Sequence, residues 1–384
     1  MPYNAPDDDA AIMKAQPSPK SQKGQWGFLL RAGALWGATL ALCCLAMGTA
    51  TAQYHVRPDG TPDVLIMVFD GQNCTWATNP GHWSLLCDAK DNFDGMSDRP
   101  GYQAMAEQLQ QRGYTVEIRG YAGKFQGGVS SVTRRYERGF EDALRDLDTA
   151  RGQWIAGYLN PTRLIVAGAS GGGIWTHLAI MANPDLTFDY LIDSDTACLY
   201  WSRNYRSFQR AVGRNTPSGA YIRAKLSRID LERLCMPGTR PSRDGSWLRI
   251  TNLVPSNVLV NLEAQTRLWG GQNRQPDETT PNVPNDYVIN RRINGSRQGI
   301  YTVLDLVDMH GDVFMPGHAA TQWMLDMIDA LGMPPSPLIA GSQEIVRRGR
   351  LSLPGQGLFG NLPGLQLVPV GKIEPDSAIW TLEP

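Results

Sequence analysis

Two hydrophobic periods alternate along this chain from about residue 60. Asp63-Val-Leu-Ile-Met-Val-Phe69 is a short apolar, β-branched run ending at Asp70-Gly71, and it predicts a buried strand. Tyr102, Met105 and Leu109 then fall on one helical face that stops at Gly113. Tyr114–Ile118 reads as a second strand. A long amphipathic segment follows, with Tyr136, Phe140, Leu144 and Leu147 at helical intervals. Arg163–Gly168 predicts a third strand and Gly171–Met181 a helix.

The alternation continues with a strand at Phe188–Ile192, then lapses over 195–255, which reads as an insertion. Strands resume at Val258–Leu262 and Tyr301–Val307. A last helix spans Ala319–Leu331, where Trp323, Met327 and Leu331 recur every four residues. Strands that are apolar throughout and alternate with helices imply an α/β fold, a mostly parallel sheet covered by helices on both faces. Residues 335–384 are rich in Pro, Gly and Leu without a clear period and are read as a C-terminal extension.

The first 52 residues follow another pattern. Residues 1–25 form a polar leader with an Asp7-Asp8-Asp9 run, and Lys14, Lys20, Lys23 and Arg31 precede an uncharged stretch from Ala32 to Ala52. Ala50-Thr51-Ala52 supplies the small residues of an export cleavage site ahead of Gln53, and the stretch is also long enough to span a bilayer. Residues 26–52 are therefore expected to be a signal peptide or a membrane anchor. Either places residues 53–384 outside the cytoplasm, in the periplasm, secreted, or held at the membrane through residues 32–52.

Composition excludes more than it identifies. With 42% hydrophobic and 19% charged residues the chain is globular rather than disordered. A net charge of −1 gives no overall basic field for nucleic acid. Cys43 and Cys44 lie inside the apolar stretch. Cys74, Cys87, Cys198 and Cys235 remain in the exported part, where sequence neighbours suggest the pairs Cys74–Cys87 and Cys198–Cys235, with four free thiols as the other reading. No C-x-x-C or H-E-x-x-H spacing occurs, so no metal is expected, and no cofactor motif is found.

The chemistry concentrates at Gly168-Ala169-Ser170-Gly171-Gly172-Gly173. This is a G-x-S-x-G placed between a predicted strand and a predicted helix. A serine on so sharp a turn takes a strained backbone that only small neighbours permit, and its hydroxyl projects above the sheet. The Gly171 amide points into the same space from the helix start. On these residues the stretch from about 60 to 332 resembles the α/β-hydrolase superfamily of serine hydrolases, and the resemblance implies the order nucleophile, acid, histidine.

Serine needs an adjacent base. His55 and His82 precede Ser170, against that order, and His177 lies about 10 Å along the helix, as a packed or surface residue. His310, directly after the last predicted strand, is the expected base, with His318 as the alternative. For the acid, Asp277 in Asp277-Glu278-Thr279-Thr280-Pro281 resembles the family's D-x-x-x-P loop, while Asp193, Asp195 and Glu263 stay open. The oxyanion hole is expected to combine the Gly171 amide with one from Asp70-Gly71-Gln72-Asn73, at Gln72 or Gly71. The insertion over 195–255 matches a cap position and is basic. The expected activity is cleavage of small or lipid-like carboxylic esters. Amide or peptide cleavage by the same residues, and a catalytically silent binding role in the cell envelope, are the other readings.

Overall fold

The computed structural model describes residues 55–71, 101–129, 136–198, 201–232, 234–235, 249–269, 272–273, 289–310, 312–313, 315–334, 366–369 and 378–383. The apolar stretch at 32–52, Cys74 and Cys87 lie outside them. Among the described residues no helix is long and apolar enough to cross a membrane.

In chain order the elements are β1 (Val64–Phe69), α1 (Gly101–Gln111), β2 (Val116–Tyr121), β3 (Gly128–Val129), β4 (Tyr136–Glu137), α2 (Phe140–Ala150), β5 (Arg163–Ala169), α3 (Gly172–Met181) and β6 (Phe188–Ser194). They continue with α4 (Trp201–Gly213), α5 (Pro217–Leu226), β7 (Leu253–Val254), β8 (Val258–Trp269), β9 (Gln272–Asn273), β10 (Arg291–Arg292), β11 (Ile300–Met309), α6 (Ala319–Leu331), β12 (Gln366–Pro369) and β13 (Ala378–Glu383). The main sheet runs β12-β13-β11-β8-β6-β5-β1-β2. From β2 to β13 every neighbouring pair is parallel; β12 and β9 add antiparallel partners.

All six residues of β1 are buried because the sheet is covered twice. Leu65, Met67 and Phe69 enter one core with α2 and α3, while Val64, Ile66 and Val68 enter another with α1 and α6. The largest fully buried side chains, Trp175 and Trp323, sit one in each core. At about 1.5–3 kcal/mol per buried aliphatic or aromatic side chain, these two layers dominate what holds the sheet flat against its helices.

Two expectations shift. Tyr136 belongs to the short strand β4, and α2 begins only at Phe140. Gly139 separates them: its amide is taken by Asp142 Oδ2, which fixes the helix start. In the C-terminal extension, Ala378–Glu383 lies parallel to β11 and prolongs the sheet. The 195–255 insertion contributes α4 and α5. Cys198 and Cys235 are joined by a disulfide with a Cα separation of 5.3 Å, so that suggested pair is present.

Candidate active site

Ser170 directly follows β5, which lies between β1 and β6 in the sheet. Its φ is +51°, in the left-handed region that side chains avoid. Hydrogen bonds hold it there. The Ser170 amide donates to Ser194 O at 3.1 Å, and the Ser170 carbonyl accepts from Gly173 N at 3.1 Å and Ala197 N at 2.9 Å. Such strain costs on the order of 1–3 kcal/mol and persists only where the surroundings enforce it.

Glycine is required around the turn for space. A Cβ at Gly172 would stand 2.2 Å from Phe69 O, and one at Gly168 would stand 2.4 Å from Thr176 Oγ1 and 2.9 Å from Gly173 Cα. The close packing of β5, α3 and the end of β1 thus leaves the Ser170 side chain half-buried. Gly171 is the N-cap of α3, where no carbonyl of the helix reaches its amide.

Among the described residues only one other non-glycine residue has positive φ, Asp195 at +47°. It follows β6, the strand next to β5. Its carboxylate accepts from the Thr266 amide at 3.1 Å and from the Thr266 hydroxyl. It also receives His310 Nδ1, 2.5 Å from Asp195 Oδ2. His310 follows β11 and keeps partial exposure, while Asp195 is 1% exposed. Ser170, Asp195 and His310 therefore stand on turns at the same edge of one parallel sheet, in the chain order nucleophile, acid, histidine.

The remaining expected residues sort as follows. Asp277 and Gln72 lie outside the described residues. Gly71 packs directly on the serine: a Cβ there would be 2.7 Å from Ser170 Cβ and 3.2 Å from Ser170 Oγ. Its own amide donates to Asp70 Oδ1 at 2.7 Å. That bond occupies the Gly71 amide. His318 is bonded through Nδ1 to Asp308 Oδ1 at 2.9 Å. Burial opposes ionisation of Asp308, but hydrogen bonds from its neighbours, His318 and the Ala320 amide among them, hold its carboxyl below the usual range.

Asp193 and Glu263 belong to a different cluster, buried below the edge. His177 is fully buried, with Nδ1 3.1 Å from Leu253 O and Nε2 3.0 Å from Asp193 Oδ1. Nδ1 thus faces a carbonyl oxygen, which can only accept, and Nε2 faces a carboxylate oxygen. Asp193 Oδ2 accepts from the Asn261 and Asn290 side-chain amides, both at 2.8 Å. Glu263 receives the Asn290 amide, the Gln265 side chain and the Thr302 hydroxyl. Burial pushes its carboxyl up to about 7, with the Asp193 charge adding to the shift and those hydrogen bonds opposing it.

An open, mostly parallel sheet with helices on both faces, and a serine on the tight turn between a central strand and its helix, decides the architecture. The fold is that of the α/β-hydrolases. No family model and no curated protein matches the sequence. Among solved structures the chain is similar to Est1E from Butyrivibrio proteoclasticus with ferulic acid bound, at 15% identity and a TM-score of 0.30, covering 71% of this chain and 93% of that one. It is similar also to a thermophilic esterase, Est2, from Thermogutta terrifontis, at 14% identity and a TM-score of 0.33, covering 72% and 85%. The Vlm2 thioesterase domain is a third, at 15% identity and a TM-score of 0.30, covering 74% and 100%. At such scores these likenesses add nothing to what the strand order itself shows.

Among the described residues Thr266 contributes to this candidate site without having been suggested by the sequence. Nothing local marks it, because it reaches Asp195 only once β6 and β8 are paired.

Proposed function

We propose that this protein is an exported serine hydrolase that cleaves carboxylic esters through an acyl-enzyme on Ser170, with His310 as the base and Asp195 as the acid. The observation that carries the reading is the bond between His310 Nδ1 and Asp195 Oδ2, made at the sheet edge that bears Ser170. With Nδ1 committed to the carboxylate, Nε2 is the nitrogen that serves the serine.

In the first half-reaction His310 Nε2 takes the Ser170 proton as Oγ attacks the ester carbonyl. The tetrahedral oxyanion is met by the Gly171 amide and, in this reading, by that of Gln72. His310 then gives the proton to the departing alkoxide. In the second half-reaction it takes a proton from water, whose oxygen attacks the acyl carbonyl; as the tetrahedral intermediate collapses, His310 Nε2 returns that proton to the departing Ser170 Oγ and the acid is released. Asp195 keeps the imidazole in the required tautomer and stabilises the imidazolium that forms twice per cycle. Export rests on the apolar stretch at 32–52, and the Cys198–Cys235 disulfide suits an oxidising compartment.

A fluorophosphonate probe tests the nucleophile and base together. Labelling of the wild type, lost in Ser170→Ala and in His310→Ala, is the expected result; label that persists in Ser170→Ala defeats the assignment. Parallel rates on p-nitrophenyl esters and their anilide analogues separate ester from amide preference, with the esters expected to turn over faster.

A further inference from the structure

The insertion carries a charge pattern that the site does not use. Between Trp201 and Arg228 the chain holds Arg203, Arg206, Arg210, Arg214, Arg223, Lys225 and Arg228 and not one acidic residue, in a protein whose net charge is −1. The fold turns this run into a surface. On α4, Trp201, Phe208 and Ala211 are buried, so the helical period sends Arg206 and Arg210 outward, and Arg214 just beyond the helix is exposed as well. Arg223, exposed on α5, lies 3.4 Å from Arg214 O through Nη1 and carries the same stripe across to the second helix.

Elsewhere the cations of this molecule are mostly matched. Arg119 and Arg138 both pair with Asp146, Arg145 pairs with Glu141, and Lys225 reaches out of the insertion to Asp148. Among the described residues Arg210, Arg214 and Arg228 pair with no carboxylate. The stripe borders an open groove of about 630 Å³ whose lining includes Tyr205, Val212, Ile229 and Leu231, all half-buried. Asp230 and Glu232 also line it.

We infer that the exposed arginine face of α4 and α5 is a docking surface for an anionic phospholipid bilayer, separate from the apolar stretch at 32–52. A row of exposed guanidinium groups along two helices fits an extended array of phosphates better than a single small anion. The half-buried apolar side chains beside the row suit the interface between headgroups and acyl chains, which a nucleic acid does not offer. Each arginine held at such a surface strengthens partitioning about fivefold, and salt screens the effect.

The test uses the full chain with vesicles of phosphatidylcholine alone or containing phosphatidylglycerol, read by co-sedimentation. The apolar stretch binds both kinds, so the quantity read is the preference for anionic vesicles. Wild type should show that preference at low salt and lose it in high salt. The triple variant Arg206→Gln, Arg210→Gln, Arg214→Gln should lose roughly 100-fold of it, with an unchanged melting temperature. Equal partitioning of wild type into both vesicles overturns the inference. So does retention of the preference by the triple variant, or tighter binding to a DNA duplex than to anionic vesicles. Should the triple variant fail to fold, the double variant Arg210→Gln, Arg214→Gln is read in the same assay, with a loss of roughly 25-fold expected and an unchanged preference overturning the inference.

Discussion

Asp193 and Asp195 stand two residues apart at the end of β6, yet each holds a different histidine. Asp193 is bonded in the buried layer to His177 of α3, the helix that leaves the sharp Ser170 turn, or elbow, and Asp195 to His310 at the open edge. One strand end thus fastens both the helix that begins at the serine and the turn that carries His310. The two carboxylates should fail in different ways.

Replacing Asp195 by Asn preserves shape but leaves His310 with the wrong tautomer. Turnover on a p-nitrophenyl ester should fall about 10⁴-fold, with KM and melting temperature little changed. Asp277→Asn should stay near wild type, and the same ester assay compares the two; a collapse in Asp277→Asn instead would transfer the acid's role.

Asp193→Ala should act on stability. It strips the partner from a fully buried imidazole and from two side-chain amides, the kind of loss that costs about 3–5 kcal/mol. Urea unfolding at neutral pH measures it, and a change below about 1 kcal/mol would mean the cluster contributes little.

Glu263 sets a pH dependence. Its carboxyl is raised from 4.5 to about 7 in the fold, so the neutral acid is the form the fold favours. Its contribution is complete below pH 4.5, declines as pH rises toward 7, and is absent above. The span corresponds to roughly 3 kcal/mol. Glu263→Gln should flatten the stability profile between pH 5 and 7 and make the protein more stable than wild type at pH 8. Denaturant midpoints of both proteins at pH 5 and pH 8 give the difference directly.

The elbow glycines offer a steric test. Gly172→Ala places a methyl 2.2 Å from Phe69 O, so the backbone of β1 or α3 must move. We expect loss of probe labelling and a destabilisation of roughly 1–3 kcal/mol. Gly128→Ala, whose Cβ would meet nothing within 4 Å, should be neutral in the same thermal and labelling measurements.

What the sequence made legible follows from how each signal is encoded. β1 and β5 are continuous apolar runs, and a doubly covered strand can be built from little else, so both were readable to within a residue. Ser170 was readable because its turn demands two glycines in fixed places, Gly168 and Gly172. The start of α2 was not, since Tyr136 keeps helical spacing while Gly139 breaks the chain ahead of Phe140. β13 escaped notice because Ala378–Glu383 is short and its partner β11 lies some seventy residues earlier. The carboxylate beside His310 was undecidable from spacing: Asp193, Asp195 and Glu263 share one stretch of sheet, and only strand register and the turn at Asp195 separate them. His177, correctly placed on the elbow helix, gave no sign of the carboxylate waiting under it.

The contact between Gly71 and Ser170 has a consequence for evolution and engineering alike. Even an alanine methyl at 71 would collide with the serine's own side chain before any acyl group arrived. Variation that retunes the proposed substrate preference is therefore expected to bypass this position, leaving the walls farther from the hydroxyl as the adjustable part of the candidate site.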